Sequence, residues 1–236
     1  MEFNKKSPIS NKYNSPISID DAARGIKAAV LNGKDLLNDA QLLFDNERYA
    51  RAMSLAILAI EEIGKVEIIK NLLLSKQKVA SIWKDVRDHK SKNIIWQFPI
   101  LKHIGLTDAR SLENLIDRKA APAAYLDDLK QLGFYTEALE NENSKSCNWV
   151  IPSEAVDKES ASFYIQTARQ IVLDDRIEWT PLALKTFMEH NEYNDKNAVC
   201  RNPVLYYRTL CQRGCINEDR LQKIIQNINM LTVVAS

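Results

Sequence analysis

Glycine is scarce in this chain, six residues in 236, and the scarcity removes several classes of function. There is no G-x-x-x-x-G-K-[ST] phosphate loop and no G-x-G-x-x-G dinucleotide turn; both need glycine where backbone must approach phosphate closely. H-E-x-x-H zinc helices and G-x-S-x-G nucleophile turns are missing as well. The four cysteines (147, 200, 211 and 215) include no C-x2-C pair and are too few for a disulfide framework, so they read as reduced thiols. Cys211 and Cys215, with Cys200 and His190 upstream, form the one spacing that could hold zinc, but Gly214 between them should end the helix that would align them. No cofactor and no metal is expected.

Long apolar runs are lacking too. The best stretch is divided by Glu61, Glu62 and Lys65, short of the roughly 18–20 residues that span a bilayer. Residues 1–16 are polar, with no signal-peptide centre, so a soluble cytoplasmic protein with no membrane partner is expected. A formal net charge of +1 gives no global attraction to nucleic acid. Charge is uneven, however: residues 61–102 hold nine Lys/Arg against five acids, which permits a local phosphate or RNA site.

What is present is helical periodicity. Residues 1–17, rich in Asn, Ser, Lys and Pro, read as a flexible arm. Ser18 and Asp21 have capping-box spacing and open a helix to about Asp45; Asn46 is expected to cap a second, running to Leu74. From Val79 a helix should continue to Lys92 and on toward His103, with another over 107–119. Pro122 opens a further helix that Gly133 ends. Residues 134–151 read as loop with a brief extended piece at 149–151, and 153–173 as helix. Thr180-Pro181, Asn202-Pro203 and Asn217 start the last three helices. The class is all-α, with an arm (1–17), a main bundle (18–175) and a C-terminal helical extension (176–236).

The second helix is apolar on most sides, which suits the centre of a bundle or a dimer interface. Glu62 falls inside one of its apolar stripes, so Glu62 is expected to be buried and in need of a partner. Glu61 and Lys65 should form an exposed i,i+4 pair. The cluster Trp83-Lys84-Asp85-Val86-Arg87-Asp88-His89-Lys90-Ser91-Lys92 concentrates the chain's most capable side chains.

Three elements in order, Tyr49…Glu61-Glu62-Ile63-Gly64-Lys65, then Trp83…Arg87-x-His89-Lys90-x-Lys92, then Leu129–Tyr135 with Trp149-x-x-Pro152, resemble the AbiV family of bacterial abortive-infection proteins. The resemblance spans residues 20–175. It implies a HEPN-like helical bundle, a homodimer, a phage-encoded activator, and action on RNA or the translation machinery as a metal-independent endoribonuclease. HEPN nucleases carry an R-x4-6-H motif, and no Arg–His pair here has that spacing. A HEPN-like module that binds a phage or host protein without catalysis is therefore the alternative.

Metal-free RNA cleavage needs a base, an acid and a cation for the transition-state charge. The candidate site is His89, Lys92, Arg87 and Glu62. His89 and Lys92 share a helical face, with Lys84 or Asp85 one turn before; Arg87 joins only across a dimer or if the helix breaks there. Glu62 would orient His89; alternatively Lys84, Arg87, Lys90 and Lys92 form a solvated face and His89 or Arg87 simply neutralises Glu62 inside the bundle. Tyr206, Tyr207, Arg201, Arg208 and Arg213 could meet RNA by stacking and phosphate pairing, but such residues are more often half-core, half-surface helix positions.

Overall fold

The computed structural model describes residues 12–75, 77–93, 121–140, 146–173, 177–193 and 198–234. Helix α1 (Ile19–Asp45) opens on the expected capping box: the Ser18 hydroxyl accepts from the Asp21 amide at 3.1 Å while the Asp21 carboxylate reaches back to Ser18. Asn46 does not cap the second helix. It closes α1 instead, its side-chain amide donating to the Leu42 carbonyl, and Glu47 then turns the chain at a left-handed φ of 59°. Helix α2 (Tyr49–Leu74) follows without a side-chain cap.

Helices α1 and α2 form a hairpin covered by α7 (Lys158–Leu173). Ala52, Ala56 and Ala59 let neighbouring backbones close on α2, and Ile57, Ile60 and Ile63 are fully buried. Each of those isoleucines contributes roughly 1.5–3 kcal/mol by leaving water. α2 also meets α3 (Val79–Arg87), α4 (His89–Asn93) and α5 (Ala121–Leu132). The expected continuous helix through residue 92 is broken at Asp88, whose ψ of 125° is extended. Its carboxylate accepts from the Ser91 amide at 2.8 Å and so starts α4. The continuation toward His103 and the helix expected over 107–119 lie outside the described residues.

The segment read as loop contains an antiparallel hairpin, β1 (Glu137–Glu140) with β2 (Cys147–Val150), pairing Ala138 with Trp149. Almost every residue of it is exposed, so no apolar alternation announced it. The helix expected over 153–173 is divided at Val156-Asp157 into α6 (Pro152–Ala155) and α7. The end of the chain supplies α8 (Pro181–His190), a short hairpin of β3 (Asn191–Tyr193) and β4 (Ala198–Cys200), α9 (Pro203–Gln212) and α10 (Glu218–Val234). Thr180, Asn202 and Asn217 cap its three helices as read from the sequence. This part has its own core of Phe187, Tyr206, Leu210, Ile216 and Leu221, while Leu184 packs on Ala22, Ile26, Val66 and Ile69 of the hairpin. The class is all-α with two minor hairpins. Among the described residues no helix is long and apolar enough to cross a membrane.

Candidate functional site

One stripe of α2, Ser54, Ile57, Glu61, Gly64 and Ile68, is buried along its length at alternating spacings of three and four residues. Its small members admit backbone. A Cβ on Gly64 would lie 2.3 Å from the Lys92 carbonyl oxygen, so only glycine lets α4 cross there. A Cβ on Gly133 would meet Ser54 Oγ at 2.0 Å and the Ala50 carbonyl oxygen at 2.5 Å, which fixes the end of α5 against the same stripe. Ser54 Oγ donates to the Lys130 carbonyl at 2.9 Å and holds α5 in register. Both docked helices thereby converge on Glu61.

Glu61, only 1% exposed, is the centre of the site. One carboxylate oxygen faces His89 Nδ1 at 2.6 Å and Lys92 Nζ at 3.7 Å; the other accepts from Lys130 Nζ at 2.9 Å. Lys130 also donates to Asp127 at 2.7 Å. Glu62, expected to be buried and in need of a partner, is largely buried, its side chain 16% exposed, and pairs with Lys65 three residues on. It lies on the stripe with Leu55, Leu58 and Lys65, however, and the acid that meets His89 is Glu61, which corrects the expectation that Glu62 orients the ring. Adjacent helical residues point about 100° apart, and α4 and α5 cover the Glu61 side. The predicted Glu61–Lys65 pair does not form for the same reason.

A buried carboxylate is tolerated only with charge and hydrogen bonds around it, and three basic side chains supply them. Glu61, Glu62 and Asp127 are matched by Lys65, Lys92 and Lys130, leaving His89 as the extra basic group. Burial pushes the Lys92 ammonium below the usual lysine range, against the pull of Glu61 and Glu62 and with the help of Lys65 and Lys130. The His89 side chain is 47% exposed, whereas those of Lys92 and Lys130 are 6% and 4%. His89 is thus the one member of the trio open to a ligand. When Nδ1–H donates to the carboxylate the neutral ring carries its lone pair on Nε2; the Lys92 ammonium also lies 3.5 Å from Nδ1.

Glu61, His89 and Asp127 each offer a ligand atom within 4.8 Å of the others. The Lys130 ammonium already bridges Glu61 and Asp127, however, and a cation there would have to expel it. The residues fit an internal ion pair better than a metal.

Arg87 is not part of this constellation. Its guanidinium donates to the Tyr13 carbonyl at 2.6 Å and to Asn14 Oδ1 at 2.8 Å, with Cζ 5.7 Å from the centre of the Trp83 ring. Lys84 is exposed on α3. Of the C-terminal candidates, Arg201 pairs with Glu192, Arg213 pairs with Glu189, Tyr206 is buried and Tyr207 packs against the same core, while Arg208 is exposed. Cys211 donates to Glu218, and no cysteine belongs to a metal-like cluster among the described residues.

Sequence reasoning missed Glu61 and Lys130. The available signal was the repeat of Ser54, Glu61 and Gly64 on one stripe, where small and polar residues mark a close helix approach.

Neither a curated protein nor a solved structure matches this chain. A protein-family model, HEPN_AbiV, described as AbiV, matches residues 21–173. That span runs from the first turn of α1 to the end of α7 and contains Glu61, His89, Lys92 and Lys130 with both glycine contacts. The chain therefore belongs to the AbiV family of HEPN-type abortive-infection proteins.

Proposed function

We propose that this protein is a cytoplasmic antiviral effector of abortive infection that acts on RNA, with His89 as its proton-transfer group and Glu61 as the residue that orients it. The observation that carries the reading is the half-exposed His89 ring tied through Nδ1 to a carboxylate that is 1% exposed. In the reaction, His89 Nε2 takes the proton of a ribose 2′-hydroxyl. The 2′-oxygen attacks phosphorus, and the bond to the 5′-oxygen breaks, leaving a 2′,3′-cyclic phosphate. Glu61 offsets the positive charge that forms on the imidazole, and no metal is required. The departing 5′-oxygen needs a proton from a second acid. His89 of a second copy would provide it, which makes a homodimer the working unit, released by a phage-encoded activator.

The test is cleavage of labelled RNA by the full chain and by His89→Gln, alongside plaque counts in cells carrying each. Loss of both cleavage and protection in His89→Gln is the expected outcome; general acid–base groups contribute about 10²–10⁴-fold. A second reading, a non-catalytic module that binds a phage or host protein, is favoured by the burial of Lys92 and Lys130 and by the engagement of Arg87 elsewhere. Protection that survives His89→Gln, with no cleavage in either chain, would establish that module instead.

A further inference from the structure

Residues 13–15 lie across α3, some seventy positions away in sequence, and three hydrogen bonds they make there each offer an oxygen to a donor. Arg87 donates to the Tyr13 carbonyl and to Asn14 Oδ1; Trp83 Nε1 donates to the Ser15 carbonyl at 2.9 Å. The Tyr13 ring meets Trp83 edge-on, centroids 5.8 Å apart, and the Tyr13 hydroxyl donates to the Pro16 carbonyl at 2.9 Å, curling the segment. The contact is exposed, with Tyr13 itself 55% accessible.

Two features make this more than a packed terminus. First, the acceptors around Arg87 are neutral, so its charge is hydrogen-bonded but not balanced, and a phosphate would bind it more strongly than a carbonyl does. Second, the arm carries Lys5, Lys6 and Lys12 against Glu2 alone, the same sign as the face it covers. A segment selected only to hold Arg87 would be expected to offer it a carboxylate. What the arm supplies instead is neutral oxygen for a guanidinium and the edge of a ring for an indole; one nucleotide of a single strand would offer the same two groups a charged phosphate and a base that can stack. Base stacking on an aromatic ring beside a cation is the usual basis of sequence-tolerant single-strand binding.

We infer that the Trp83–Arg87 face of α3 is a binding site for single-stranded RNA, occupied in cis by residues 13–15. It deepens the RNA reading above and rests on it. Trp83 and Arg87 are one helical turn apart, with exposed Lys84 beside them, and Arg87 precedes His89 by two positions across the break at Asp88.

The experiment uses the full chain carrying His89→Gln, so that the probe survives, with or without Tyr13→Ala and Asn14→Ala together. Binding of a short fluorescein-labelled single-stranded RNA is followed by anisotropy. The arm variant should bind about tenfold more tightly, the factor by which a site free a tenth of the time reduces apparent affinity. Adding Arg87→Ala should return it to the parent value. Circular dichroism of each variant checks that helix is retained, Ile17 and the core being untouched. Unchanged affinity in the arm variant overturns the inference, as does a gain that Arg87→Ala leaves in place. Because His89 is already replaced, these outcomes are independent of whether His89 catalyses cleavage.

Discussion

Two regions of this molecule bury a lysine, and they do so by opposite means. Around Glu61, Lys130 is held by two carboxylates and Lys92 lies close by, in a cluster closed by α2, α4 and α5. At the other end of α2, Lys70 pairs with the exposed Glu67 and lays its ammonium over Trp179 at 4.2 Å and Phe187 at 5.0 Å. Ring faces accept a cation without demanding exact charge balance, so the second arrangement tolerates adjustment while fastening residues 177–234 to the bundle. The first tolerates little, since removing one charge strands the others. The first also ties a half-exposed imidazole, His89, to a buried carboxylate, so rigidity is concentrated where chemistry would need a fixed geometry.

The largest expected effect follows from that contrast. Glu61→Ala leaves Lys130 and Lys92 buried with one carboxylate fewer and should cost about 3–5 kcal/mol, the range for breaking a buried pair from one side. Urea unfolding of the parent and the variant measures it. A cost below about 1 kcal/mol would mean that water reaches the cluster freely, and the rigid half of the comparison would be lost.

Why the sequence pointed to Glu62 rather than Glu61 is instructive. Helix ends were readable because their causes are local: Ser18 and Asp21, Thr180 before Pro181, Asn202 before Pro203, and Gly214 at φ 72° all act within a few residues. Asn46 misled because it stands between two helices and either could claim it. Glu61 was hidden for a different reason. α2 is covered almost all round, so its own pattern cannot say which of two adjacent carboxylates faces inward. That is decided by His89 and Lys130, 28 and 69 residues away. Lys130 in turn looks like an ordinary surface lysine beside Asp127, and only the seat of Gly133 against Ala50 and Ser54 turns it inward.

The two regions should also respond oppositely to alkali. Lys92 has its folded pKa lowered below 10.5 chiefly by burial, so its ammonium costs stability until it deprotonates, and that cost fades as pH rises toward 10.5. Tyr206 is pushed well up from 10.0 by burial first and by Tyr207 next. Its contribution is intact below pH 10.0, and is lost above it because the unfolded phenol ionises first. The Tyr206 hydroxyl has no hydrogen-bond partner among the described residues. Tyr206→Phe should therefore stabilise by about 1 kcal/mol at neutral pH and flatten the loss above pH 10. Urea midpoints on both sides of pH 10 read both effects. A destabilised variant at neutral pH would mean that the hydroxyl has a bonding role.

The smallest effect separates neighbours on one helix. Glu62 pairs with Lys65 three residues on, along a partly buried stripe beside the closed cluster, so Glu62→Gln should cost about 0.2–0.5 kcal/mol, as for other helical pairs. It should also lower the Lys92 pKa a little further, because Glu62 is one of the two carboxylates that raise it. Set beside Glu61→Ala, the variant tests whether position on the helix, rather than carboxylate chemistry alone, decides the cost. Comparable losses would place both acids in one undivided network, and the distinction between a closed cluster and the partly buried pair beside it would fail. A loss confined to Glu61 makes its side of α2 the surface against which His89 is held.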